Sequence, residues 1–540
     1  MNNKLKFKRI LFVVFVMLFM ATPLLPAQEQ NDASEKSAEP STEGSGTVYV
    51  IREMDFTVDG RTQTFALISA GEFKEGERII GKENLANYLT NKHQLLVNQQ
   101  VLEEVRIDYR LGEKEEDGTL PVTLLIYVRD SWNIIAMPHP KYDSNEGFSL
   151  TLKARDYNFL GTISEFRADL GYSQENEENN INFSIESDIP FQAAGFIWTL
   201  NFDNFFKYTF GKPLYYQNVT GLSLDLPWHL TTVTTGFNHY LTVNEENTDE
   251  NRDIYGLDER FYGAYGSSEL FVSWKIPFGV EVANFGELSY TPKLSGMIHY
   301  PYASMDDPRK PLTTLHHSIS FGRVDWIGNY RRGLSASASN FYSWYFDRSD
   351  APLKIGLEAD IKFFRPFSKY FGVFSRLSYR QWWHWSDRAE LYIPNYSSGD
   401  LIRGVIDDHI RAHQILTFNL DLPIRLLRFW PSDWFNNQNF RFFNFEMHVS
   451  PFTDLVLFNG PYNRVKDRND PGEAKTTFTL DDMINTAGIE FIVFPGFFRS
   501  VKGRASVGYN IKKISDNGMQ LRWGFLPQWD EIFIGLDHYY

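Results

Sequence analysis

The sequence contains no cysteine, which excludes disulfide bonds and a lipid anchor attached through an N-terminal cysteine. After residue 27 it also lacks any run of about 18 apolar residues, so no transmembrane helix is expected beyond that point. Positive charge is in the minority, with 53 Lys and Arg against 68 Asp and Glu and a net charge of -15. Without a basic stripe to neutralise phosphates, nucleic acid is not an expected partner. If the mature chain crosses a membrane, it must do so with β-strands.

The N-terminus has the layout of a cleavable secretory signal peptide. Four basic residues among the first nine precede an apolar run at residues 10–20, and the sequence TPLLPAQ follows at residues 22–28. This order of regions predicts a signal peptide over residues 1–27. Residues 28–46 contain no aromatic residue and almost no aliphatic one, which predicts a disordered leader.

Aromatic residues are abundant although the chain is polar on average. There are 46 Phe, 28 Tyr and 13 Trp, and the mean hydropathy is -0.35. This combination is typical of a transmembrane β-barrel, which has a lipid-facing surface, aromatic girdles at its rims and a wet interior. A large soluble all-β protein is the alternative interpretation of the same composition.

Two regions with different periodicity follow the leader. Residues 47–136 predict a small α/β domain with a first strand, two short helices and two further strands. Within residues 105–111 apolar and charged side chains alternate, as they do in a half-buried strand. Residues 147–540 show the same alternation through most of their length. They predict about 16 antiparallel barrel strands, an even number because both ends of such a barrel lie on the same side.

Several motifs occur in one order along the chain. KYDSNEGFSLTLKARDYNFLGT lies at residues 141–162 and IRGV at residues 402–405, and FNLDLP, SPFTDLVLF and FIGLDHYY follow them. This ordered set resembles the BamA/TamA family of outer-membrane assembly factors. The resemblance implies a POTRA (polypeptide-transport-associated) domain at residues 47–136 and a 16-stranded barrel at residues 147–540.

The resemblance also implies roles for three groups of residues. The turn between the first two barrel strands carries Asp156, Asn158, Phe159, Leu160 and Gly161; a loop that folds into the barrel carries Ile402, Arg403, Gly404 and Val405; the C-terminal signal includes Gly535, Tyr539 and Tyr540. The chain departs from the family in two respects. Val405 stands where the family has an aromatic residue, and residues 47–136 have room for one POTRA domain where these factors usually carry several.

The loop arginine needs acidic partners if it enters the barrel, because a partly desolvated guanidinium without them is costly. Strand alternation places Asp421 and Asp454 on the polar, inward faces of two successive strands. Both positions match the acidic partners of the loop arginine in the family. We therefore expect Arg403 to bridge the two carboxylates with the planar donor fork that lysine lacks. A solvated arginine in an extracellular loop is the alternative.

The resemblance implies that the protein inserts other β-barrel proteins into the outer membrane, with its POTRA domain in the periplasm. The seam between a first strand at residues 148–155 and a last strand at residues 532–540 would open sideways to pair with a substrate strand. The strand at residues 104–111 would accept another by β-augmentation. The expected partners are unfolded outer-membrane proteins and the lipid bilayer, with periplasmic chaperones or accessory lipoproteins as further candidates. No cofactor is expected.

Other functions receive less support from the sequence. A secretion or solute pore of the same superfamily is the alternative function, because it also needs a polar lumen and an inserted loop. His409 and His413 have a spacing that suits metal binding on a helix, but they precede a strand and lack a third ligand, so no metal site is expected. No pairing of a nucleophile with a base stands out, and we expect no enzymatic activity.

Overall fold

The computed structural model of the chain describes residues 46–143, 147–175, 178–246, 262–281, 286–301, 311–346, 353–384, 395–396, 403, 410–411, 414–459, 483–496, 501–511 and 531–538. Residues 47–540 form one compact unit. The predicted signal peptide at residues 1–27 lies outside the described residues, as does the predicted leader apart from its last residue.

A small α/β domain lies at the N-terminal end of this unit. It consists of β1 (Val48–Asp59), α1 (Thr64–Ala70), β2 (Arg78–Ile80), α2 (Lys82–Val97), β3 (Leu102–Leu111) and β4 (Leu120–Asp130). The sheet order is β2-β1-β4-β3, in which β1 and β4 are parallel and the outer strands are antiparallel to their neighbours. Its core buries Ile51, Leu67, Leu85 and Leu124, which come from both helices and the two central strands. We refer to this unit as the N-terminal domain.

A closed antiparallel barrel follows. Its strands are β5 (Ile134–Asp143), β6 (Gly147–Asp156), β7 (Phe166–Glu175), β8 (Glu178–Ala193), β9 (Phe196–Thr209), β10 (Tyr215–Trp228), β11 (Thr231–Glu246), β12 (Tyr262–Glu281), β13 (Glu287–Pro301), β14 (Leu312–Ile327), β15 (Tyr330–Tyr345), β16 (Leu353–Ser368) and β17 (Phe371–His384); then, after β18 (Asn395–Tyr396) and β19 (Ile410–Arg411), which pair with each other, β20 (Gln414–Asp421), β21 (Ile424–Phe429), β22 (Phe445–Asn459), β23 (Ile484–Pro495), β24 (Val501–Asn510) and β25 (Glu531–His538).

The predicted fold class, a β-barrel preceded by a small α/β domain, is confirmed. The described barrel contains nineteen strand segments. Pro423 separates β20 from β21, and both segments lie between β17 and β22, so they occupy one place in the sheet. The barrel therefore has eighteen strand positions in the described residues, where the sequence predicted about 16.

The barrel starts one strand earlier than the sequence predicted. β5 pairs with β6 on one side and with β25 on the other, so Ile134 and not Gly147 begins the barrel. The expected seam between residues 148–155 and 532–540 is therefore wrong, because β5 lies between those two strands. β5 contains Pro138 and Pro140, and prolines argue against a strand in a sequence interpretation.

The two faces of the barrel differ in chemistry. The outward face carries exposed large apolar side chains such as Leu150 and Leu152 of β6, Leu270 of β12 and Ile298 of β13. On β20 the buried, inward residues include Thr417, Asn419 and Asp421. Among the described residues, no helix has the length and apolar character needed to span a bilayer.

Candidate functional site

The candidate site lies on the inner face of the barrel, where β20, β22 and β23 are neighbours. Asp421 ends β20 and is paired in register with Phe452 of β22, and Asp454 lies two residues further along the same strand. Because alternate residues of a strand point to the same face, Phe452 and Asp454 both point inward, towards Asp421. Asp454 is completely buried, and Asp421 and Phe452 are nearly so.

Arg403 lies between the two carboxylates. Its Nη1 donates to Asp421 Oδ1 at 2.7 Å and its Nη2 to Asp421 Oδ2 at 3.2 Å. Its Nε donates to Asp454 Oδ2 at 3.0 Å and its Nη2 to Asp454 Oδ1 at 2.8 Å. The backbone N–H of Arg403 also donates to Asp454 Oδ2, at 2.9 Å. The guanidinium therefore makes a two-pronged contact with each carboxylate, a geometry that a lysine ammonium cannot reproduce.

Three further residues complete the surroundings of the guanidinium. The Arg403 Cζ lies 3.8 Å from the centroid of the Phe452 ring, a cation–π contact. Glu490 Oε2 lies 3.6 Å from Arg403 Nη1 and 2.5 Å from Arg504 Nη2. Three carboxylates and two guanidinium groups thus form one network in which every buried charge has a partner of opposite sign, as buried charges require. Sequence reasoning missed Phe452, Glu490 and Arg504.

A glycine makes room for the aromatic ring of this network. Gly488 of β23 is in register with Phe452. A Cβ atom added at Gly488 would lie 2.5 Å from Phe452 Cζ and 2.1 Å from the carbonyl oxygen of Val507. The ring therefore occupies the space that a side chain at residue 488 would need. The alternation of β22 was the sequence signal that could have identified Phe452, since it places this residue on the same face as Asp454.

The network borders a cavity of about 280 Å³ inside the barrel. Arg403, Asp421, Asp454 and Glu490 line one part of its wall, and the stacked rings of Tyr330 and His448 line another. His448 Nε2 lies 2.7 Å from Glu446 Oε1. The arrangement suits a charge lock, a set of buried ion pairs that holds Arg403 against the barrel wall.

The residues of the predicted first turn form a second site, at the junction with the N-terminal domain. Asn158 is completely buried. Its Nδ2 donates to Thr62 Oγ1 at 2.6 Å and to Asp130 Oδ2 at 3.3 Å, and its Oδ1 accepts from the backbone N–H of Ile163 at 2.9 Å. Asp130 also accepts from both the N–H and the hydroxyl of Thr62. Asn158 therefore links the barrel turn to the domain through a buried polar network.

The rest of the turn packs on the same part of the domain. Gly161 has φ 75°, and a Cβ atom there would lie 2.0 Å from the carbonyl oxygen of Arg61. The backbone N–H of Gln63 donates to the Gly161 carbonyl at 2.8 Å, and the Gln63 side chain donates to the carbonyl of Leu160. Only glycine fits this close approach with a positive φ.

Asp156 and Phe159 fix the ends of this turn. Asp156 forms an ion pair with Arg61 and accepts from the N–H of Asn158. Phe159 stacks on Phe166 with ring centroids 4.7 Å apart. The turn joins β6 to β7, the second and third barrel strands, and not the first two as the sequence predicted. Asp130 and Thr62 had no predicted role.

The domain also contacts the barrel at two other turns of the same end. Asn98, just after α2, donates through Nδ2 to Asp325 Oδ1 at 2.9 Å and accepts from the backbone N–H of Trp326 at 3.0 Å, beside the turn between β14 and β15. Glu103 of β3 forms an ion pair with Arg441, which lies between β21 and β22. The domain is thus held at three separate turns of one barrel mouth.

Several predicted site residues lie outside the described part of the chain. They are Ile402, Gly404, Val405, Tyr539 and Tyr540. His409 and His413 also lie outside it. Gly535 lies in β25, in register with Arg504 of β24.

Comparison with known proteins gives structural likenesses only. No family model matches the chain, and no curated protein matches it. The chain is similar to solved structures of CdiB from Acinetobacter baumannii (11% identity over 86% of this chain and 70% of that chain, TM-score 0.47), CdiB from Escherichia coli (10%, 93% and 92%, TM-score 0.40) and BamA from Haemophilus ducreyi lacking POTRA domains 1-3 (12%, 91% and 85%, TM-score 0.36). With such scores, the fold assignment rests on the strand pairing of this chain itself.

Proposed function

We propose that the chain is an outer-membrane barrel that inserts other β-barrel proteins by opening the seam between β5 and β25, with its POTRA-like N-terminal domain in the periplasm. The observation that carries this proposal is the edge of β5 that faces β25, where the backbone lacks two hydrogen-bond donors. Lateral opening is the mechanism that the motifs imply, and the seam lies at β5 instead of β6.

One hydrogen bond at the start of β5 shows to which side each of its N–H and C=O groups points. The N–H of Tyr157 donates to the carbonyl of Asn133 at 3.0 Å, and these two residues continue the register in which Ile134 pairs with Asp156. In an antiparallel pair, alternate residues direct their N–H and C=O groups to the same neighbour. The odd-numbered residues of β5 therefore bond to β6, and the even-numbered residues face β25.

Both prolines of β5 are even-numbered. Pro138 and Pro140 have no N–H, so they leave the β5–β6 ladder intact and remove two successive donors from the side that faces β25. Each missing hydrogen bond removes roughly 1 kcal/mol of net stabilisation, and more where no water replaces it, as in lipid. The seam between β5 and β25 is therefore less stable than a strand pair without prolines.

The outward face of the barrel supports a membrane location. Exposed leucine, isoleucine and aromatic side chains cover strands on all sides of the barrel, while the inward face buries serine, threonine, asparagine and charged residues. A soluble barrel would expose these apolar side chains to water at a cost of about 25 cal/mol per Å². A lipid-facing surface and a polar lumen are the arrangement of a transmembrane barrel.

The edge of the N-terminal domain supports a role in receiving unfolded clients. β3 ends the sheet order. The N–H of Gly112 donates to the Pro121 carbonyl at 2.9 Å and continues the register of β3 with β4, so the even-numbered residues of β3 bond to β4. The N–H groups of Ile107, Tyr109 and Leu111 consequently point away from the sheet, where a client strand can pair with them.

Reconstitution distinguishes this function from that of a pore. Purified protein in phospholipid vesicles should accelerate the folding of barrel proteins diluted from urea, relative to vesicles without it. The matched control carries the same amount of a closed barrel of similar size. A pore would instead leave client folding at the control rate and release a small dye from the vesicles, and that result would contradict the proposal.

A further inference from the structure

One turn of the barrel is unusually rich in exposed aromatic residues. We define the aromatic turn as residues 430–444, which connect β21 to β22 at the end of the barrel that carries the N-terminal domain. It contains α3 (Pro431–Trp434) and a 3-10 helix (Gln438–Phe443). Five of its large side chains are exposed, with Trp434 at 62%, Phe435 at 64% and Phe443 at 57%, together with Phe440 and Phe442. Such an apolar surface on an ordered segment requires an explanation.

The aromatic turn is an ordered structure with a buried polar base. The N–H of Ser432 donates to Asn444 Oδ1 at 3.2 Å, and Asn444 Nδ2 donates to Ser432 Oγ at 2.7 Å. The N–H of Gly496, just after β23, donates to the carbonyl of Asn444 at 2.7 Å. Ser432 and Asn444 are both buried. These bonds hold the base of the turn against the barrel, while its aromatic side chains remain exposed.

At two places the same rim combines an aromatic ring, half-buried Trp430 or exposed Tyr370, with a basic side chain. Arg428 lies 4.5 Å from the Trp430 ring centroid, beside the aromatic turn. At the neighbouring turn between β16 and β17, Lys369 lies 5.1 Å from the ring centroid of exposed Tyr370. Tryptophan and tyrosine rings with Lys and Arg beside them are typical of the layer where lipid headgroups meet hydrocarbon.

The surface beside the aromatic turn is continuous with the outward apolar face of the barrel. β21 leads into the turn with exposed Ile424, Leu426 and Leu427. A residue that follows directly on such a strand lies at the depth where the hydrocarbon layer ends. We propose that the aromatic turn inserts into the headgroup layer of the periplasmic leaflet, an interaction that rests on the proposed membrane barrel. The partner of the aromatic turn is therefore a phospholipid surface. The neighbouring basic residues favour an anionic surface.

This contact would couple the membrane surface to the N-terminal domain. Arg441 lies within the aromatic turn and forms an ion pair with Glu103 of β3, next to the open edge of that strand. A turn fixed in the headgroup layer would hold the start of β3 near the bilayer. Clients that pair with β3 would then be held close to the membrane they enter.

Single cysteines measure the position of the turn directly, because the chain has no native cysteine. Phe435→Cys and Phe443→Cys carry an environment-sensitive fluorophore in the full-length protein, reconstituted in phosphatidylethanolamine and phosphatidylglycerol vesicles. Leu426→Cys is the lipid-facing control and Lys114→Cys, on the far side of the N-terminal domain, is the aqueous control. Heat-modifiable gel mobility checks that every labelled variant is folded.

The labels at Phe435 and Phe443 should be quenched by lipids that carry a nitroxide near the headgroup, and iodide should quench them several-fold less than the label at Lys114. Iodide quenching equal to that at Lys114, with lipid quenching intact at Leu426, would overturn the proposal and leave the membrane barrel standing. Shielding from both quenchers would mean that protein covers the turn, which also overturns it. Loss of lipid quenching at Leu426 itself would overturn the membrane barrel and the proposed function with it.

Discussion

The guanidinium carbon of Arg403 lies 3.8 Å from the centroid of the Phe452 ring, directly between two buried aspartates. The ring forms an apolar floor on which a planar cation rests, and the carboxylates hold its edges. Burial raises the strength of each of these contacts because little water competes for the charges. Arg403 is therefore held in place by both charge and shape.

Replacing the loop arginine tests the charge lock. Arg403→Ala should destabilise the folded barrel or release the loop at a cost on the order of 3 kcal/mol, because Asp421 and Asp454 would be left buried without their cation. Arg403→Lys should retain part of the lost stability, since lysine keeps the positive charge and lacks the planar donor fork of the guanidinium. Heat-modifiable gel mobility and protease access to the loop report the effect. Wild-type behaviour of the alanine variant would show that the lock does not stabilise the barrel.

A methyl group at Gly488 tests the contribution of the aromatic floor. Gly488→Ala should displace both the Phe452 ring and the adjacent β24 backbone, because the new Cβ would lie 2.5 Å from Phe452 Cζ and 2.1 Å from the Val507 carbonyl oxygen, and should cost about 1–3 kcal/mol. Gly503→Ala on the adjacent strand is the matched control, since its Cβ would come no closer than 3.8 Å to a neighbour. Thermal unfolding followed by circular dichroism compares the two variants. Equal stability of the two would show that the ring has room to move.

The junction between domain and barrel depends on Asp130. Asp130→Ala removes the acceptor for Thr62 and Asn158 and should release the barrel turn from the domain at a cost of about 2 kcal/mol or more. Hydrogen exchange at the N–H of Thr62 should become faster, and protease should cut the connection between domain and barrel. Asp108→Ala, an exposed aspartate on β3, should change neither measurement. Unchanged protection in the Asp130 variant would contradict the proposed junction.

Two proline variants on β3 separate client binding from domain stability. Tyr109→Pro removes an N–H that points away from the sheet, whereas Asp108→Pro removes one that bonds to β4. Tyr109→Pro should leave the domain folded and abolish capture of unfolded barrel proteins by a photocrosslinker at Arg110. Asp108→Pro should unfold the domain. Full capture by the folded Tyr109 variant would show that clients do not pair with the outward-facing N–H groups of β3.

Local alternation predicted much of this architecture correctly. The inward placement of Asp421 and Asp454 followed from a two-residue period that holds along β20 and β22, because one face of each strand is apolar and points outward while the other points into a polar interior. Three of the four strands of the small domain, β1, β3 and β4, and a helical region between β1 and β3 also followed from local patterns, whereas β2 was not predicted. Such information is contained within a single strand or helix.

Features that depend on neighbouring strands were missed. β5 was not recognised because Pro138 and Pro140 argue against a strand, and only the identity of its two neighbours explains why both are tolerated. Glu490 and Arg504 join the Arg403 network from β23 and β24, and no local pattern fixes the stagger between adjacent strands. The Gly488 and Phe452 pair likewise exists only across the sheet.

A reversible disulfide across β5 and β25 tests the lateral seam most directly. Ala136→Cys on β5 is combined, in separate variants, with cysteine at residue 532, 534 or 536 of β25, and the pair whose Cβ atoms lie about 4 Å apart will oxidise without strain. Ala136→Cys with Ala154→Cys is the control, because these residues pair between β5 and β6, which opening of the seam does not separate. Oxidation of the seam pair should stop insertion of new barrel proteins and reduction should restore it, while oxidation of the control pair should have no effect. Undiminished insertion with the seam disulfide shown to be complete would contradict the account.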